Sequence, residues 1–495
     1  MIFKYIIDIK KYFLANPHFW ILTFVYFITA KGHIEIVDTE YSRRTSISIV
    51  EYGNLLIDPP DKSAVVHFPI LPGTDKIYSP YGIGLSFIFV PYVIAGKLLS
   101  VISTVEERII INFLISFYNI PFAILGLWFF KKIVILLGGT GNRAKIMTTI
   151  LALGTGYWKY STTDFSEVTQ ASFLLGMLYY LLQNNKGKWL KISFWFSLLI
   201  LIKLTYFIFL PVLCIYLFWD NEKSEPLLKK GLNLFIFIIP TGIGIATLNY
   251  LRFNNIFESG YGSIIKFSLD FFTRDWFGYL FSFERGIFFF NPIILVSMFG
   301  FLFVPREKRM PIILVGIFIL VWYLVMCFWV SWQGGYCWGN RLLVPIIPLL
   351  LLPLTFVPCK NFFTKMLLFS VLLVSIFIQF SASFTKIHEI IEIKLKIQEI
   401  TEESPSSQLY RGVDLFIHKL KTSKAEYPVS NFGVQGAQTI NLTEYDTFHG
   451  FNLWIVHLLN YAGLRTLSYG AGITVLFITI FLCIALFISQ KSKQI

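Results

Sequence analysis

Apolar residues dominate this chain in long runs, parted by short polar connections that hold most of the charge. A helix needs roughly 18 apolar residues to cross the hydrocarbon core of a bilayer. Runs near that length fall at about 13–30, 108–130, 143–160, 168–183, 189–203, 204–219, 231–250, 286–304, 311–330, 342–357, 364–382 and 470–488. The pattern predicts an all-α polytopic membrane protein with about 12 transmembrane helices (11–13). Its tightest pair, 189–203 and 204–219, turns around Lys203. No internal repeat and no long low-complexity tract interrupts the series.

Composition agrees with the pattern. Hydrophobic residues make up 55% of the 495 and charged residues only 14%, where soluble domains hold about a quarter charged. The formal charge of +13 would suggest a nucleic-acid partner in a soluble protein. Here the basic residues sit in small clusters between apolar runs, so the expected partner is the membrane and no nucleic acid.

Those clusters set the topology. With the N-terminus inside, the cytoplasmic connections hold Lys131, Lys132, Arg143 and Lys145, then Lys186, Lys188 and Lys191, then Lys223, Lys229 and Lys230. Arg306, Lys308 and Arg309 follow, then Lys360 and Lys365, and finally Lys491 and Lys493. The bias requires an even number of crossings and puts both termini in the cytoplasm. Lys4, Lys10 and Lys11 precede the first run without a small-residue cleavage site after it, so that run reads as an uncleaved span. Residues 82–102 are also apolar enough to cross, but a crossing there would invert every later basic connection. They are predicted to lie along or dip into the outer leaflet, interrupted by Pro91 and Gly96.

Four segments then remain outside: 31–81, a turn around 161–167, a loop at 251–285, and 383–469. The last mixes an amphipathic stretch (Ile387, Ile390, Ile391, Ile393, Leu395, Ile397) with a turn-forming part near SPSSQLYRG.

Charged groups at a membrane boundary are costly unless used, paired or hydrated, so chemistry is sought in these segments. The first opens with IEIVDTEYSRR, which sets Asp38, Glu40, Arg43 and Arg44 within two helical turns. Glu40 and Arg44 share a face there, as an ordinary intrahelical ion pair would. The second, YSTTDFSEVTQ, holds Asp164 and Glu167 just before an apolar run, where carboxylates also suit a helix N-terminus. The third, FSFERGIFFFNP, puts Arg285 at the mouth of a span. The fourth, WVSWQGGYCWGNRLLVP, surrounds a glycine pair and Arg341 with Trp332, Tyr336 and Trp338. Aromatics in such a place serve as interfacial anchors, whereas glycines admit close backbone approach and a guanidinium grips phosphate bidentately.

Other signals carry nothing. Cys214, Cys327, Cys337, Cys359 and Cys483 show no paired spacing for zinc or a disulfide framework. The seven histidines have no HExxH-like spacing, and no metal site is assigned. Ser259-Gly260-Tyr261-Gly262 looks like a potassium filter but occurs once, without a pore-helix pattern. Asn441-Leu442-Thr443 is a sequon that matters only in a secretory pathway.

In their order, DTEYSRR, IYSPYGIGLSFIFVPYVIAG and TTDFSEVTQASFLL resemble the GT-C superfamily of polytopic glycosyltransferases, relatives of the protein O-mannosyltransferases and lipid A aminoarabinose transferases. NYLRFNNIFESGYG, FSFERGIFFFNP and WQGGYCWGNRLLVPIIP resemble one bacterial, family-39-like branch, and the similarity runs over roughly 30–350. The resemblance implies sugar transfer from a polyprenyl-phosphate donor to a lipid-linked glycan, lipid or protein acceptor, on the outer face of the bacterial cytoplasmic membrane. It implies a general base at Asp38, with Glu40 second, and a second acid at Asp164 or Glu167. Arg285 and Arg341 would hold the lipid phosphate, joined by Arg43 or Arg44. Tyr78, Tyr81, Trp332, Tyr336 and Trp338 would border the donor or acceptor groove. The family carries Lys or His before the proline pair, where this chain has Ser79-Pro80-Tyr81. Some members use a divalent cation and others none, so a cation stays open.

On this reading 1–382 is a transmembrane catalytic domain with its outer loop at 31–107, and 383–469 is a small extracytoplasmic region. The last helix and a cytoplasmic tail fill 470–495. Two other functions compete. An O-antigen ligase or polymerase would need Arg and His of 383–469 and give Asp38 no role. A lipid-linked glycan transporter would favour inverted repeats and midplane charges, of which Lys203 is the single candidate.

Overall fold

A computed structural model describes residues 16–57, 76–220, 225–258, 267–358, 361–401, 407–424, 426–428, 440–441 and 450–488. Lys4, Lys10, Lys11, Lys223, Lys360, Lys491, Lys493, Cys359, the Ser259–Gly262 run and Leu442–Thr443 lie outside them.

The described chain is helical apart from the two-residue strands β1 (Glu426–Tyr427) and β2 (Ile440–Asn441), paired antiparallel. In order, the helices are α1 (Pro17–Ile28), α2 (Val37–Tyr52), α3 (Ile83–Val101), α4 (Glu107–Ile115), α5 (Asn119–Leu136), α6 (Gly141–Leu153), α7 (Tyr157–Ser161), α8 (Glu167–Leu181) and α9 (Lys188–Ile202). A 3₁₀ turn (Leu204–Phe209) leads into α10 (Leu210–Trp219), followed by α11 (Leu227–Phe253), α12 (Leu269–Phe281), α13 (Ile287–Phe290), α14 (Pro292–Phe299) and α15 (Arg309–Cys327). A further 3₁₀ turn (Arg341–Ile346) leads into α16 (Ile347–Leu351). Then come α17 (Phe362–Phe384), α18 (Ile387–Thr401), α19 (Gln408–Lys421), α20 (Trp454–Tyr461) and α21 (Arg465–Ile488).

Every apolar run predicted from the sequence overlaps a helical stretch, and the described residues are those of a mostly helical polytopic membrane protein. By length and composition, six helices are long and apolar enough to cross a membrane among the described residues: Ile83–Val101, Glu107–Leu136, Leu227–Phe253, Arg306–Cys327, Phe362–Phe384 and Arg465–Ile488. The turn expected at Lys203 is present, with its backbone extended (φ −150°, ψ 113°) between α9 and the 3₁₀ turn.

One expectation is corrected. Residues 83–101 form a single unbroken helix, uninterrupted by Pro91 or Gly96. Pro91 costs one backbone hydrogen bond, but α3 is packed between α2 and α4 and keeps its course. Gly96 is a contact point and not a break: a Cβ there would come within 2.5 Å of Ile111 on α4.

The core forms around α8, which packs against α5, α9 and the 3₁₀ turn at 341–346. All of its residues but Tyr179 are buried, and beyond its polar first turns, Glu167 to Ser172, its sequence is apolar on every side. Basic groups gather at one end of these helices. Arg143 reaches Val357 O, Lys308 reaches Leu136 O at 2.8 Å, and Lys188 and Lys230 pair with Asp220 at 2.7 and 3.2 Å. Glu167 of α8, Asn119 of α5 and Lys203 after α9 stand at the other end. There Asn119 donates to Thr163 O at 2.7 Å and organises the turn before α8.

Helices α18 and α19 dock at that same end. Ile387, Ile390, Ile393 and Ile397 form the buried stripe of α18, while Leu395 is turned out. Gln408 of α19 accepts from Gly339 N and donates to Cys337 O, both at 2.8 Å, so it clasps the loop that ends in Arg341.

Candidate active site

The start of α2 is tied to the turn before α8. Asp164 Oδ2 accepts from Ile36 N at 3.1 Å, and its backbone carbonyl accepts from Thr39 Oγ1 at 2.7 Å and Tyr118 OH at 3.2 Å. Asp38, in the first turn of α2, thereby faces inward with both carboxylate oxygens engaged. Tyr81 OH donates to Oδ1 at 2.7 Å and Arg341 Nη1 donates to Oδ2 at 3.1 Å. Glu167 Oε1 lies 4.0 Å from Arg341 Nε, and Glu167 Oε2 is buried without a hydrogen-bond partner. The Arg341 guanidinium rests over the Phe165 ring, 4.9 Å from its centroid.

These groups line a cavity of about 580 Å³. Asp38, Ser42, Glu167, Gln170, Lys203 and Arg341 give it a polar end, and the ends of α3, α9 and α11 give it apolar walls. Gln170 is oriented by Tyr206 OH, 2.8 Å from its Oε1. Burial raises the Glu167 carboxyl above its ordinary range, against the pull of Arg341 and Lys203 and with the push of Asp38.

Of the residues expected at a site, Asp38, Glu167, Tyr81 and Arg341 meet in this cavity, and the others do not line it. Glu40 is held by Arg43 at 2.6 and 2.8 Å and by Arg44 at 2.7 Å. Burial would raise its carboxyl, but those two arginines hold it down at about 2, so all three side chains are occupied with one another. Arg285 turns its Nη1 on to Gln333 O, to Gly335 O at 2.8 Å and to Cys337 Sγ at 3.0 Å. It braces the loop whose Gly334 and Gly335 take φ of 72° and 76°, a conformation that side chains disfavour. Tyr78 packs on Phe253, Trp332 on Tyr279, Tyr336 on His388 and Trp338 on Phe290.

Asp164 sits behind the cavity. Burial and the nearby Glu35 carboxylate push it up to about 7 against the backbone hydrogen bonds it accepts, and its Oδ1 is buried without a partner. A carboxyl raised from 3.8 to about 7 keeps a proton in the folded state that the unfolded chain loses. Its share of the stability therefore falls as pH rises across that window. Asp164→Asn keeps an oxygen for Ile36 N and is expected to remove this share, flattening Tm between pH 5 and 7 in detergent. An unchanged slope would place the titration elsewhere.

Sequence reasoning gave no role to Gln170 or Arg252 and weighed Lys203 only as a transporter's midplane charge, yet all three line the cavity. Lys203 carried a signal, being the single cation between two adjacent apolar runs. Among the described residues, no group of three or more His, Cys, Asp or Glu side chains could hold a metal ion.

No family model and no curated protein matches the chain. Its structure is similar to that of ArnT from Cupriavidus metallidurans bound to undecaprenyl phosphate, with TM-score 0.46 and 12% identity over 95% of this chain and 76% of that one. It is also similar to archaeal oligosaccharyltransferase AglB from Archaeoglobus fulgidus, in complex with an inhibitory peptide and a dolichol-phosphate. There the TM-score is 0.47 and identity 12%, over 80% of this chain and 61% of AglB, so the chain spans about three-fifths of that protein. Both are GT-C superfamily glycosyltransferases.

Proposed function

We propose that this protein transfers a sugar from a polyprenyl-phosphate donor to an acceptor hydroxyl, in a single displacement that inverts the anomeric centre. The observation that carries the reading is the cavity itself. A carboxylate held in place by a phenol and a guanidinium faces a second cation, Lys203, beneath apolar helix ends. An acceptor hydroxyl beside Asp38 passes its proton to the carboxylate as its oxygen bonds to the anomeric carbon. The bond from that carbon to the phosphate oxygen breaks, and the lipid phosphate leaves with the electron pair. Arg341 and Lys203 stabilise the departing charge, and Glu167 and Gln170 receive the sugar hydroxyls. The apolar walls suit the first isoprenoid units.

The positive-inside bias assigns the Arg143, Lys188, Lys230 and Lys308 end to the cytoplasm. The cavity then opens on the outer face of a bacterial cytoplasmic membrane. A ligase or polymerase site built from Arg and His of 383–469 is not supported, because the described cavity lining includes no residue of that region.

The test is an in vitro transfer assay on the purified full-length protein with a panel of synthetic polyprenyl-phosphate sugars. One donor is expected to be consumed with stoichiometric release of polyprenyl phosphate. A protein that binds and consumes none of them overturns the reading.

A further inference from the structure

We infer that Arg252 is a positioning residue for Asp38, acting through Tyr81, and that Asn249 to Phe253 form the clamp that makes it one. The inference rests on the reading above in taking Asp38 as the base.

Arg252 lies in the last turn of α11 and is 5% exposed. Although it borders the cavity, its guanidinium is committed to the protein. Nη1 donates to Ser79 O at 3.0 Å and Tyr81 O at 3.2 Å, Nη2 to Asn249 Oδ1 at 2.8 Å, and Nε to Leu248 O at 3.3 Å. Asn249 is fixed in turn by donating to Ile256 O at 3.3 Å, after Asn254 ends the helix in the left-handed conformation at φ 57°. The Arg252 guanidinium lies 5.1 Å from the Phe253 ring centroid, and that ring packs on Tyr78 at 6.1 Å. The clamp thus grips residues 78–81 from one side. Ile57 N holds the same segment from the other by donating to Ile77 O at 2.9 Å.

What the segment delivers is the Tyr81 phenol, on Asp38 Oδ1 at 2.7 Å. Its ring meets Tyr41 edge-on at 5.6 Å, one turn along α2. Two carbonyls held by one planar guanidinium fix the direction in which the Tyr81 side chain leaves the backbone. A buried arginine that directly gripped the lipid phosphate would need to give up these bonds.

The experiment is a double-mutant cycle read in two ways on the full chain. Arg252→Gln and Tyr81→Phe are each expected to lower kcat about tenfold, with donor KM changed less than twofold, and the double variant to be no worse than the poorer single one. The second readout needs no activity: 3-fluorotyrosine placed at position 81 alone, followed by ¹⁹F NMR. Arg252→Gln is expected to shift that resonance as Asp38→Asn does, and Arg252→Lys, which can still reach the two carbonyls, to restore it in part. If Arg252→Gln folds poorly, Asn249→Ala is expected to move the resonance the same way. Multiplicative losses in the double variant, a rise in donor KM alone, or an unmoved resonance each overturn the inference. A shifted resonance in a protein that consumes no donor overturns the transferase reading and leaves the coupling intact.

Discussion

Asp38→Asn is expected to lower kcat by about 10²- to 10⁴-fold, the range of a lost general base, while polyprenyl phosphate binds at least as tightly as to wild type. The asymmetry follows from the geometry. An asparagine has the same shape and still accepts from Tyr81 OH through Oδ1, so the cavity keeps its form. It cannot take a proton, so the acceptor hydroxyl loses its base. It also frees Arg341 Nη1 from its carboxylate and removes a negative charge from the cavity, both of which favour an anionic lipid headgroup. Initial rates and a binding titration with polyprenyl phosphate alone separate the two effects. Transfer at the wild-type rate would sink the assignment of Asp38, and weakened lipid-phosphate binding would mean that its carboxylate has a different task.

Arg341→Met is expected to reduce kcat by about 10²- to 10³-fold, as loss of a preorganised charge at a leaving group does, and to weaken polyprenyl-phosphate binding as well. Methionine keeps the apolar stem of the side chain and removes the guanidinium that rests over Phe165. What disappears is the cation between Asp38 Oδ2 and Glu167 Oε1. Lys203 is then left to oppose two carboxylates, so Glu167, already raised by burial, keeps its proton to higher pH. Arg341→Lys is expected to recover only part of the loss, because an ammonium cannot serve Asp38, Glu167 and a phosphate from one planar fork. The same two assays decide it. Wild-type affinity for polyprenyl phosphate in Arg341→Met would remove the phosphate from this end of the cavity.

The fold was largely legible because a bilayer imposes apolar length on every helix that crosses it. The exception, 83–101, is instructive. Pro91 and Gly96 break helices exposed to water, whereas here α2 and α4 confine the chain on both sides and Gly96 is the price of a close contact with Ile111.

The site was legible in part. Asp38, Glu167 and Arg341 announce themselves as charges beside apolar runs. Arg285 stands in an equally suggestive place, yet its guanidinium turns to carbonyls 48 and 50 residues away, a partnership that no spacing reveals. Glu40 and Asp38 are two residues apart, and only the side of α2 on which each falls separates an arginine-bound carboxylate from one that faces the cavity. Lys203 and Arg252 were visible as basic residues in apolar surroundings, but their meaning depends on partners brought close by packing.

The contact between Arg341 and Asp38 joins residues 303 positions apart, whereas Tyr81 is only 43 positions from Asp38. During synthesis, Asp38 and its phenol leave the ribosome together, and the arginine follows only after most of the membrane helices have been made. Until then Asp38 lacks its Arg341 partner, and on the proposed mechanism Lys203 alone would meet the leaving phosphate. On the proposed reading, a chain stalled before residue 341 therefore lacks the cation that Arg341 sets on Asp38, and full activity is expected only once that segment has been inserted.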